Sequence, residues 1–449
     1  MRKVVLSAWR TGAEVDRDET IEYRMKIGPE KNLAKRFLRA KKEDEVLVSA
    51  RAGSAVLDEH IALMKYLQDE GGANFLPATI DSHTRHNDYE EADDGIRSSC
   101  LNGFPAVNHG VKGCRKVAES VRLPLICRQC AFDPRLLAEI TLSGGFSGFV
   151  GGPLSFFTSY NKNSLLSSAI RNYQYVDRLV SDYENRGLQI LRESFGLAMG
   201  IIQPPSISIA MTIIDALLAA KQGVRHLCLT YHQQGNLIQD IAAVRVNDDL
   251  CAEYLGQLGI SGVKLYRQMN QWIGHYPTDR AQCYGIICLG ASVGGLADVQ
   301  SIIVKTYEEG YGIPSNESNA ECLRATKYVL GILRNQRLSE SQGLREEQEM
   351  IRLETKQIID QVLGLGDGDL AVGSVRAFEA GILDAPFSPN VLIKNRIIPV
   401  RDREGGVRYF DSGNLPFTKE VLEYHKLKIS ERCKREKQPA TFQMVIEDV

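Results

Sequence analysis

Short apolar segments alternate with amphipathic segments along most of the chain, starting near residue 45. The amphipathic segments, such as SAVLDEHIALMKYLQDEGG and MTIIDALLAAKQG, have the periodicity of helices. Strands that alternate with helices, and that are apolar on both faces, indicate a parallel sheet covered by helices. The candidate strands are EVLVSA (45–50), NFLPATI (74–80), GFPAV (103–107), LPLIC (123–127), GFSGFVG (145–151), LQILRES (188–194), HLCLTY (226–231), VKLYRQ (263–268) and SIIVK (301–305).

Eight such units close into a (β/α)8 barrel, so one of the nine candidate strands lies outside it. A doubly wound sheet is the alternative, but no G-x-G-x-x-G follows the first strand. The glycine-rich SGGFSGFVGGPLS (143–155) lacks the Lys-Ser/Thr of a phosphate loop and is predicted to pack closely at the barrel rim. We expect an α/β fold with an N-terminal extension (1–44), a (β/α)8 TIM barrel (45–320) and a mostly helical C-terminal appendage (321–449).

The composition is that of an ordinary globular protein, with 449 residues, 43% hydrophobic and 24% charged, and a formal net charge of -2. So small a net charge gives no electrostatic reason to expect nucleic acid or an anionic membrane as partner. In the first residues, MRKVVLSAWRTGAEVDRDE, the apolar stretch before the next charged residues is too short for a secretory signal. The best candidate for a membrane span, at 284–299, is interrupted by Asp298 and is predicted to be a buried helix instead.

Ten cysteines are scattered along the chain, which without a secretory signal indicates reduced thiols in the cytoplasm. Two of them form Cys127-Arg128-Gln129-Cys130, directly after the apolar strand LPLIC. Zinc sites usually need a second Cys or His pair, and the sequence has no second C-x-x-C. Two interpretations of CRQC therefore stay open. The cysteines have a redox or metal-binding role, or they are small residues at a strand end that pack beside the arginine.

Arginines follow several of the early candidate strands, where a parallel barrel carries its functional groups. Arg51 follows EVLVSA, Arg85 comes shortly after NFLPATI, and Arg128 follows LPLIC. The planar guanidinium binds a carboxylate or phosphate through two parallel hydrogen bonds. A single arginine of this kind is most often half of a structural salt bridge. Three of them, without a phosphate-loop sequence, favour a small di-acid as ligand.

Lys305 and Glu309 follow the last candidate strand in SIIVKTYEEGYGIPSN. A spacing of four residues permits a helical ion pair, and the same two side chains can bind the hydroxyl groups of a sugar. The spacing leaves both interpretations open. Neither G-x-S-x-G nor H-E-x-x-H occurs, and no nucleophile–base arrangement stands out. Anion-binding residues without acid–base machinery indicate that a cofactor performs the difficult step.

Long motifs along almost the whole chain resemble the large, or epsilon, subunit of adenosylcobalamin-dependent glutamate mutase, also called methylaspartate mutase. The motifs include RAGSAVLDEH, YLQDEGGANFLPATIDSHTR, LNGFPAVNHGVKGCRKV, GNLIQDIAAVR and GDLAVGSVRAFEAGILDAPFSP. The resemblance implies a (β/α)8 barrel that holds the substrate and the adenosyl half of the coenzyme. It also implies radical interconversion of L-glutamate and 3-methylaspartate, through fragmentation to a glycyl radical and acrylate followed by recombination.

The resemblance further implies a small Rossmann-like partner subunit, whose D-x-H-x-x-G histidine ligates the cobalt, and a dimer of large subunits. This chain has D-E-H at 58–60, but Leu63 stands where that motif needs glycine. We therefore expect no metal ligand from this chain.

Carried over residue by residue, Arg51, Arg85 and Arg128 match the family's three substrate-carboxylate arginines, and Tyr160 matches a substrate-binding tyrosine. Lys305 and Glu309 then become ribose contacts. The positions that match coenzyme contacts are Gly53, Asn102, Lys305, Glu309 and Ile313, with Tyr276 in place of phenylalanine and Ser159 in place of proline.

The substrate pocket departs from the family at three positions. Val150 stands where the family has the glutamate that receives the substrate's amino group. Phe156 replaces a second substrate tyrosine, and Gln129 replaces the histidine beside the third arginine. Three interpretations stay open: a glutamate mutase with a rearranged amino pocket, the same rearrangement on a dicarboxylate without a free α-amino group, or a non-catalytic barrel subunit that binds a di-acid or regulates a partner.

Overall fold

The computed structural model describes residues 1–448, in which eight parallel strands form the barrel. The sheet order is β1-β8-β7-β6-β5-β4-β3-β2. Backbone hydrogen bonds from Asn74 to Val48 and from Thr79 to Ala52, each 2.9 Å long, join the two ends of the sheet. The strands are β1 (Leu47–Ser49), β2 (Leu76–Thr79), β3 (Leu125–Arg128), β4 (Gly148–Val150), β5 (Leu191–Ser194), β6 (His226–His232), β7 (Lys264–Asn270) and β8 (Ser301–Ile303).

Helices surround the barrel and form most of the remaining structure, as the amphipathic segments predict. Their bounds are α1 (Arg2–Leu6), α2 (Arg17–Lys26), α3 (Leu33–Glu43), α4 (Leu57–Asp69), α5 (Ser82–His86), α6 (Tyr89–Ser98), α7 (Ala106–Ser120), α8 (Arg135–Ser143), α9 (Pro153–Tyr160), α10 (Leu166–Asn185), α11 (Pro205–Lys221), α12 (Leu237–Gln257), α13 (Arg280–Leu296), α14 (Asn316–Leu333), α15 (Gln342–Leu365), α16 (Leu370–Ala380), α17 (Lys419–Glu436) and α18 (Phe442–Asp448). Within residues 1–448, no helix combines the length and the apolar character that crossing a bilayer requires.

The predicted (β/α)8 barrel is confirmed, and GFPAV (103–107) is the candidate strand that was wrong. Phe104 makes a single parallel bridge to Ile80, and α7 begins two residues later. Pro105 has no backbone N–H and therefore cannot continue a ladder at this point. The close packing predicted for the glycine-rich segment is confirmed, because a Cβ on Gly152 would lie 2.2 Å from the Asp215 carboxyl carbon.

The C-terminal region is mostly helical, as expected, but it also contains a hairpin that the sequence patterns did not reveal. Strands β9 (Ile397–Arg401) and β10 (Val407–Ser412) pair antiparallel, with Val407 opposite Arg401. The boundaries at 44 and 320 stay a prediction, and Val449, the last residue of the predicted appendage, lies outside the described residues.

The barrel interior changes from apolar to polar toward the carboxyl ends of the strands. The apolar part includes Leu47, Ile126, Leu191 and Tyr266, all fully buried. Above it, polar side chains from successive strands join in hydrogen bonds, which are described below. The fold therefore concentrates its buried polar groups at the end where parallel barrels carry their sites.

Candidate active site

Arg128 ends β3 with its guanidinium inside the barrel, where only 5% of the side chain is exposed. Its Nη1 donates to Oε1 of Glu193 on β5 at 3.3 Å. The same carboxylate oxygen accepts from the Thr230 hydroxyl at 3.0 Å. Nε and Nη2 of Arg128 are buried and have no hydrogen-bond partner in the described part of the chain. This edge of the guanidinium can donate two parallel hydrogen bonds to one carboxylate.

Arg85 and Arg51 lie near the hydroxyl of Tyr160, which ends α9. Arg85 Nη1 donates to Cys130 Sγ at 3.1 Å, and Arg51 Nη1 lies 3.7 Å from Glu309 Oε1. Although 36% of Tyr160 is exposed, burial of its hydroxyl raises the pKa, and the two arginines oppose that rise. The structure thus groups three of the predicted substrate residues, with Cys130 as a neighbour that accepts a hydrogen bond.

Lys305 and Glu309 form an ion pair at the end of β8, in a segment of turns rather than a helix. The backbone N–H of Lys305 donates to Gln271 Oε1 at 3.0 Å, which fixes the start of this segment. Burial lowers the pKa of Lys305 to about 8, while Glu309 opposes that fall and Arg51 adds to it. The pair is therefore a feature of the barrel mouth and not a surface helix contact.

The three positions that depart from the family lie together on one side of the mouth. Val150 and Phe156 are almost fully buried in the same apolar cluster. Gln129 Nε2 donates to the Val150 carbonyl at 2.7 Å and to the Tyr173 hydroxyl at 3.1 Å. Phe156 packs edge-on against Tyr160, with 5.7 Å between ring centroids. This side of the mouth is an apolar wall, and Gln129 provides a hydrogen-bond donor to the backbone carbonyl of Val150.

Helix α9, which carries Phe156 and Tyr160, is held by a buried carboxylate that the sequence analysis missed. Asp215 on α11 accepts hydrogen bonds from the backbone N–H groups of Leu154 and Ser155, at 2.9 and 3.1 Å. The Ser155 hydroxyl adds a third at 2.6 Å. Burial raises the pKa of Asp215 to about 6, and these donors oppose the rise. An aspartate in the middle of an apolar helix was the available signal.

The predicted coenzyme positions Gly53 and Asn102 support the loops at the mouth. A Cβ on Gly53 would lie 2.4 Å from the Thr79 carbonyl oxygen, so the backbone passes too closely for any larger residue. Asn102 is exposed, and its Oδ1 accepts from the Ser82 backbone N–H at 2.9 Å. That bond holds the first turn of α5, the helix that carries Arg85.

The remaining predicted coenzyme positions differ in exposure. Ser159 Oγ accepts from the Ala198 backbone N–H at 3.2 Å beside a cavity of about 310 Å³, which Arg51 and Lys305 also line. Tyr276 is buried, and its hydroxyl donates to the Trp272 carbonyl at 3.1 Å. Ile313 is 63% exposed and presents an apolar surface at the end of the β8 segment.

Buried polar atoms without a hydrogen-bond partner among residues 1–448 occur at the ends of four strands. Buried polar groups in folded proteins are normally hydrogen-bonded, so such a concentration at one end of the barrel indicates a ligand site. The atoms are Thr79 Oγ1 on β2, Arg128 Nε and Nη2 on β3, Glu193 Oε2 on β5 and Asn270 Oδ1 on β7. Glu193 and Asn270 were missed, although each is a polar residue near the end of a strand.

His232 adds a fixed neutral group to this end of the barrel. Its Nε2 donates to the Phe195 carbonyl at 2.7 Å, and its Nδ1 accepts from Asn270 Nδ2 at 3.0 Å. Burial lowers the pKa of His232 to about 3, so the ring is neutral and holds one tautomer. It orients Asn270 and does not serve as a proton donor at neutral pH.

Cys127 of CRQC and His60 of D-E-H are enclosed by other side chains, whereas Cys130 is half-buried. Cys127 is fully buried, and burial raises the pKa of its thiol well above the usual value. His60 is fully buried on α4, where it stacks on Phe104 with 4.1 Å between ring centroids. Over the described chain, no cluster of three or more His, Cys, Asp or Glu side chains has the geometry of a metal site.

Together, fold and site define a (β/α)8-barrel protein whose arginine-rich mouth suits a small anion. The family model of the methylaspartate mutase E chain matches residues 27–449. The chain is 45% identical to the glutamate mutase epsilon subunit of Desulfitobacterium hafniense, over 100% of this chain and 94% of that protein. It is 44% identical to the Treponema denticola subunit, over 100% and 94%, and 41% identical to that of Haloarcula marismortui, over 98% and 90%. The chain therefore belongs to the methylaspartate mutase E chain family, which confirms the resemblance and the mutase class.

Proposed function

We propose that this chain is the large subunit of a cobalamin-dependent mutase that interconverts L-glutamate and 3-methylaspartate. The observation that carries the proposal is the half-satisfied guanidinium of Arg128. One nitrogen is held by Glu193, while Nε and Nη2 find no acceptor within residues 1–448. A buried charged donor without a partner is costly, and a substrate carboxylate supplies that partner.

In this proposal the two carboxylates of the substrate bind to different groups. Arg128 binds one carboxylate through its free edge. Arg51, Arg85 and Tyr160 receive the other, because the two arginines converge on the Tyr160 hydroxyl. Two fixed anion sites hold a small di-acid in one orientation, which limits its motion during the rearrangement.

The coenzyme in this proposal is adenosylcobalamin, which would supply the radical that initiates rearrangement of the substrate's carbon skeleton. The residues present fit its adenosyl half. The Lys305–Glu309 pair offers a donor and an acceptor for ribose hydroxyl groups, and exposed Ile313 offers an apolar surface to the adenine. Ser159, Tyr276, Gly53 and Asn102 are proposed to shape the same face. The apolar wall of Val150 and Phe156 excludes water from the substrate.

The cobalt ligand is proposed to come from a small partner subunit with D-x-H-x-x-G. His60 is stacked in the core on α4 and buried Leu63 occupies the position of the motif's glycine, so this helix does not offer the ligand. We further propose that large subunits form a dimer and that the enzyme is cytoplasmic. All ten cysteines are free in the described structure, in keeping with a reducing compartment.

A second candidate function is the same rearrangement on a dicarboxylate without a free α-amino group. Val150 favours it, since an apolar residue lies where the family has the amino-binding glutamate. Anchoring of the two carboxylates is the same for both candidates. The two candidates differ in the protein group that contacts the substituent on the substrate's α-carbon.

The test combines the purified chain with its cobalamin-binding partner and adenosylcobalamin. L-glutamate and several amino-free dicarboxylates, including glutarate, are offered separately, and products are followed by NMR. Formation of 3-methylaspartate from L-glutamate is the expected result. A branched product from an amino-free di-acid alone would replace it with the second candidate. No product from any of them, with the coenzyme shown to bind, would indicate a larger or carrier-bound substrate, and the partner alone serves as control.

A further inference from the structure

We infer that Glu193 binds the ammonium group of the substrate in this chain, an inference that rests on the proposed function. Glu193 lies on β5, the strand next to the one that carries Val150. It was not among the residues that the sequence patterns or the family resemblance singled out. Its role would be to determine specificity for an amino acid over a plain di-acid.

The two carboxylate oxygens of Glu193 have different surroundings. Oε1 accepts from Arg128 Nη1 at 3.3 Å and from the Thr230 hydroxyl at 3.0 Å. Oε2 is buried and has no donor anywhere in the described chain. The side chain is fully buried, so bulk water does not replace the missing donor. A carboxylate with one unsatisfied buried oxygen is complementary to a cationic donor.

A chain of hydrogen bonds across the barrel holds Glu193 in this orientation. Ser301 Oγ donates to Gln268 Oε1 at 2.6 Å, and Gln268 Nε2 donates to Thr230 Oγ1 at 2.8 Å. Thr230 in turn donates its hydroxyl hydrogen to Glu193. Each of these three hydrogen bonds is donated toward Glu193. The carboxylate is therefore positioned before any ligand binds.

The free groups of Glu193 and Arg128 form a matched pair. Arg128 leaves two donor nitrogens free and Glu193 leaves one carboxylate oxygen free, while the two side chains contact each other through Nη1 and Oε1. An α-amino acid carries a carboxylate and an ammonium on the same carbon. It can bind both free edges at once, with its carboxylate on Arg128 and its ammonium on Glu193.

Val150 explains why this carboxylate is available. Val150 and Glu193 are register partners across β4 and β5, so their side chains lie on the same face of neighbouring strands. With valine at 150, Glu193 has no second carboxylate beside it and stays a single anionic acceptor. An amino-free di-acid would leave Oε2 unsatisfied and would bring no positive charge to it, so this pocket disfavours such a ligand.

The test measures binding of L-glutamate and glutarate to the holoenzyme by calorimetry, in wild type and in Glu193→Gln. Wild type should bind L-glutamate about 10- to 100-fold more tightly than glutarate, the range expected for a hydrogen bond between charged groups. Glu193→Gln should lose most of this preference, chiefly through weaker binding of L-glutamate. Equal weakening of both ligands would mean that Glu193 only orients Arg128, and would overturn the inference.

Three further variants keep the test decisive. Arg192 is the β5 residue next to Glu193, and it pairs with buried Asp177 on α10. Asp177→Asn removes that neighbouring carboxylate and should leave the preference unchanged. Glu193→Gln combined with Val150→Glu moves the carboxylate to the neighbouring strand and should restore the preference. Should Glu193→Gln not fold, Glu193→Asp withdraws the carboxylate by one methylene and should reduce the preference.

Failure of this inference is separable from failure of the proposed function. If wild type converts L-glutamate to 3-methylaspartate and Glu193→Gln keeps the full preference, only the role of Glu193 is wrong. If wild type binds glutarate as tightly as L-glutamate and rearranges only amino-free di-acids, both the ammonium site and the glutamate reaction are wrong.

Discussion

Val150 and Glu193 are register partners on neighbouring barrel strands, an apolar residue beside a buried carboxylate. Their positions mean that the carboxylate at this part of the mouth is carried by β5 rather than by β4. The family resemblance assigns an amino-binding glutamate to position 150, and the register partner of Val150 on the neighbouring strand carries a carboxylate. Four measurements follow from this arrangement and from the contacts around it.

Val150→Glu should raise kcat/KM for L-glutamate several-fold and leave the use of amino-free di-acids unimproved. The new carboxylate lies beside Glu193, and a bound ammonium offsets the repulsion between the two. Steady-state kinetics with each substrate measures the change. An unchanged kcat/KM for L-glutamate would mean that a carboxylate at position 150 adds nothing to the ammonium site.

Arg128→Lys should lose about 10- to 100-fold in kcat/KM, because charged hydrogen bonds of this kind contribute about 1.5–3 kcal/mol each. A lysine ammonium cannot present the parallel Nε and Nη2 donors to a carboxylate. Arg122→Lys is the matched control, since its side chain is 76% exposed and pairs only with Asp69. Near-normal activity of Arg128→Lys would defeat the assignment of this arginine to the substrate.

The rate should fall as pH rises through about 8, because burial lowers the pKa of Lys305 to about 8. Above that pH the neutral amine no longer pairs electrostatically with Glu309, and the proposed ribose contact weakens. Lys305→Arg keeps its charge, so the basic limb of its kcat/KM profile should move to higher pH even if the maximal rate is lower. If the basic limb does not move, it reports the titration of a group other than Lys305.

Asp215→Ala should destabilise the protein by about 1–3 kcal/mol, since it leaves two buried backbone N–H groups of α9 unpaired. The same change should raise KM for the substrate, because α9 carries Tyr160 toward the mouth. Urea unfolding and steady-state kinetics measure the two effects, and Asp215→Asn, which keeps one acceptor, should show smaller changes in both. Loss of stability with an unchanged KM would limit Asp215 to a structural role.

The barrel was predictable because its information is local. Most of the eight barrel strands contain or directly follow a short apolar run, and many of the helices between them have a regular apolar period. GFPAV met the same criteria and failed, since one bridge at Phe104 is all that Pro105 allows. The hairpin of β9 and β10 was missed because its pattern is short and lies among proline and glycine residues.

The sequence by itself determined the fold class, the end of the barrel that carries the site and the arginines that face it. Chain position at the end of an apolar strand is enough for that, because parallel strands all end at the same face. Only the tertiary structure decided which side chains meet there. Arg128 and Glu193 are 65 residues apart, and Asp215 is 60 residues from the Ser155 that it holds. Such contacts depend on barrel closure and strand register, which no local pattern encodes.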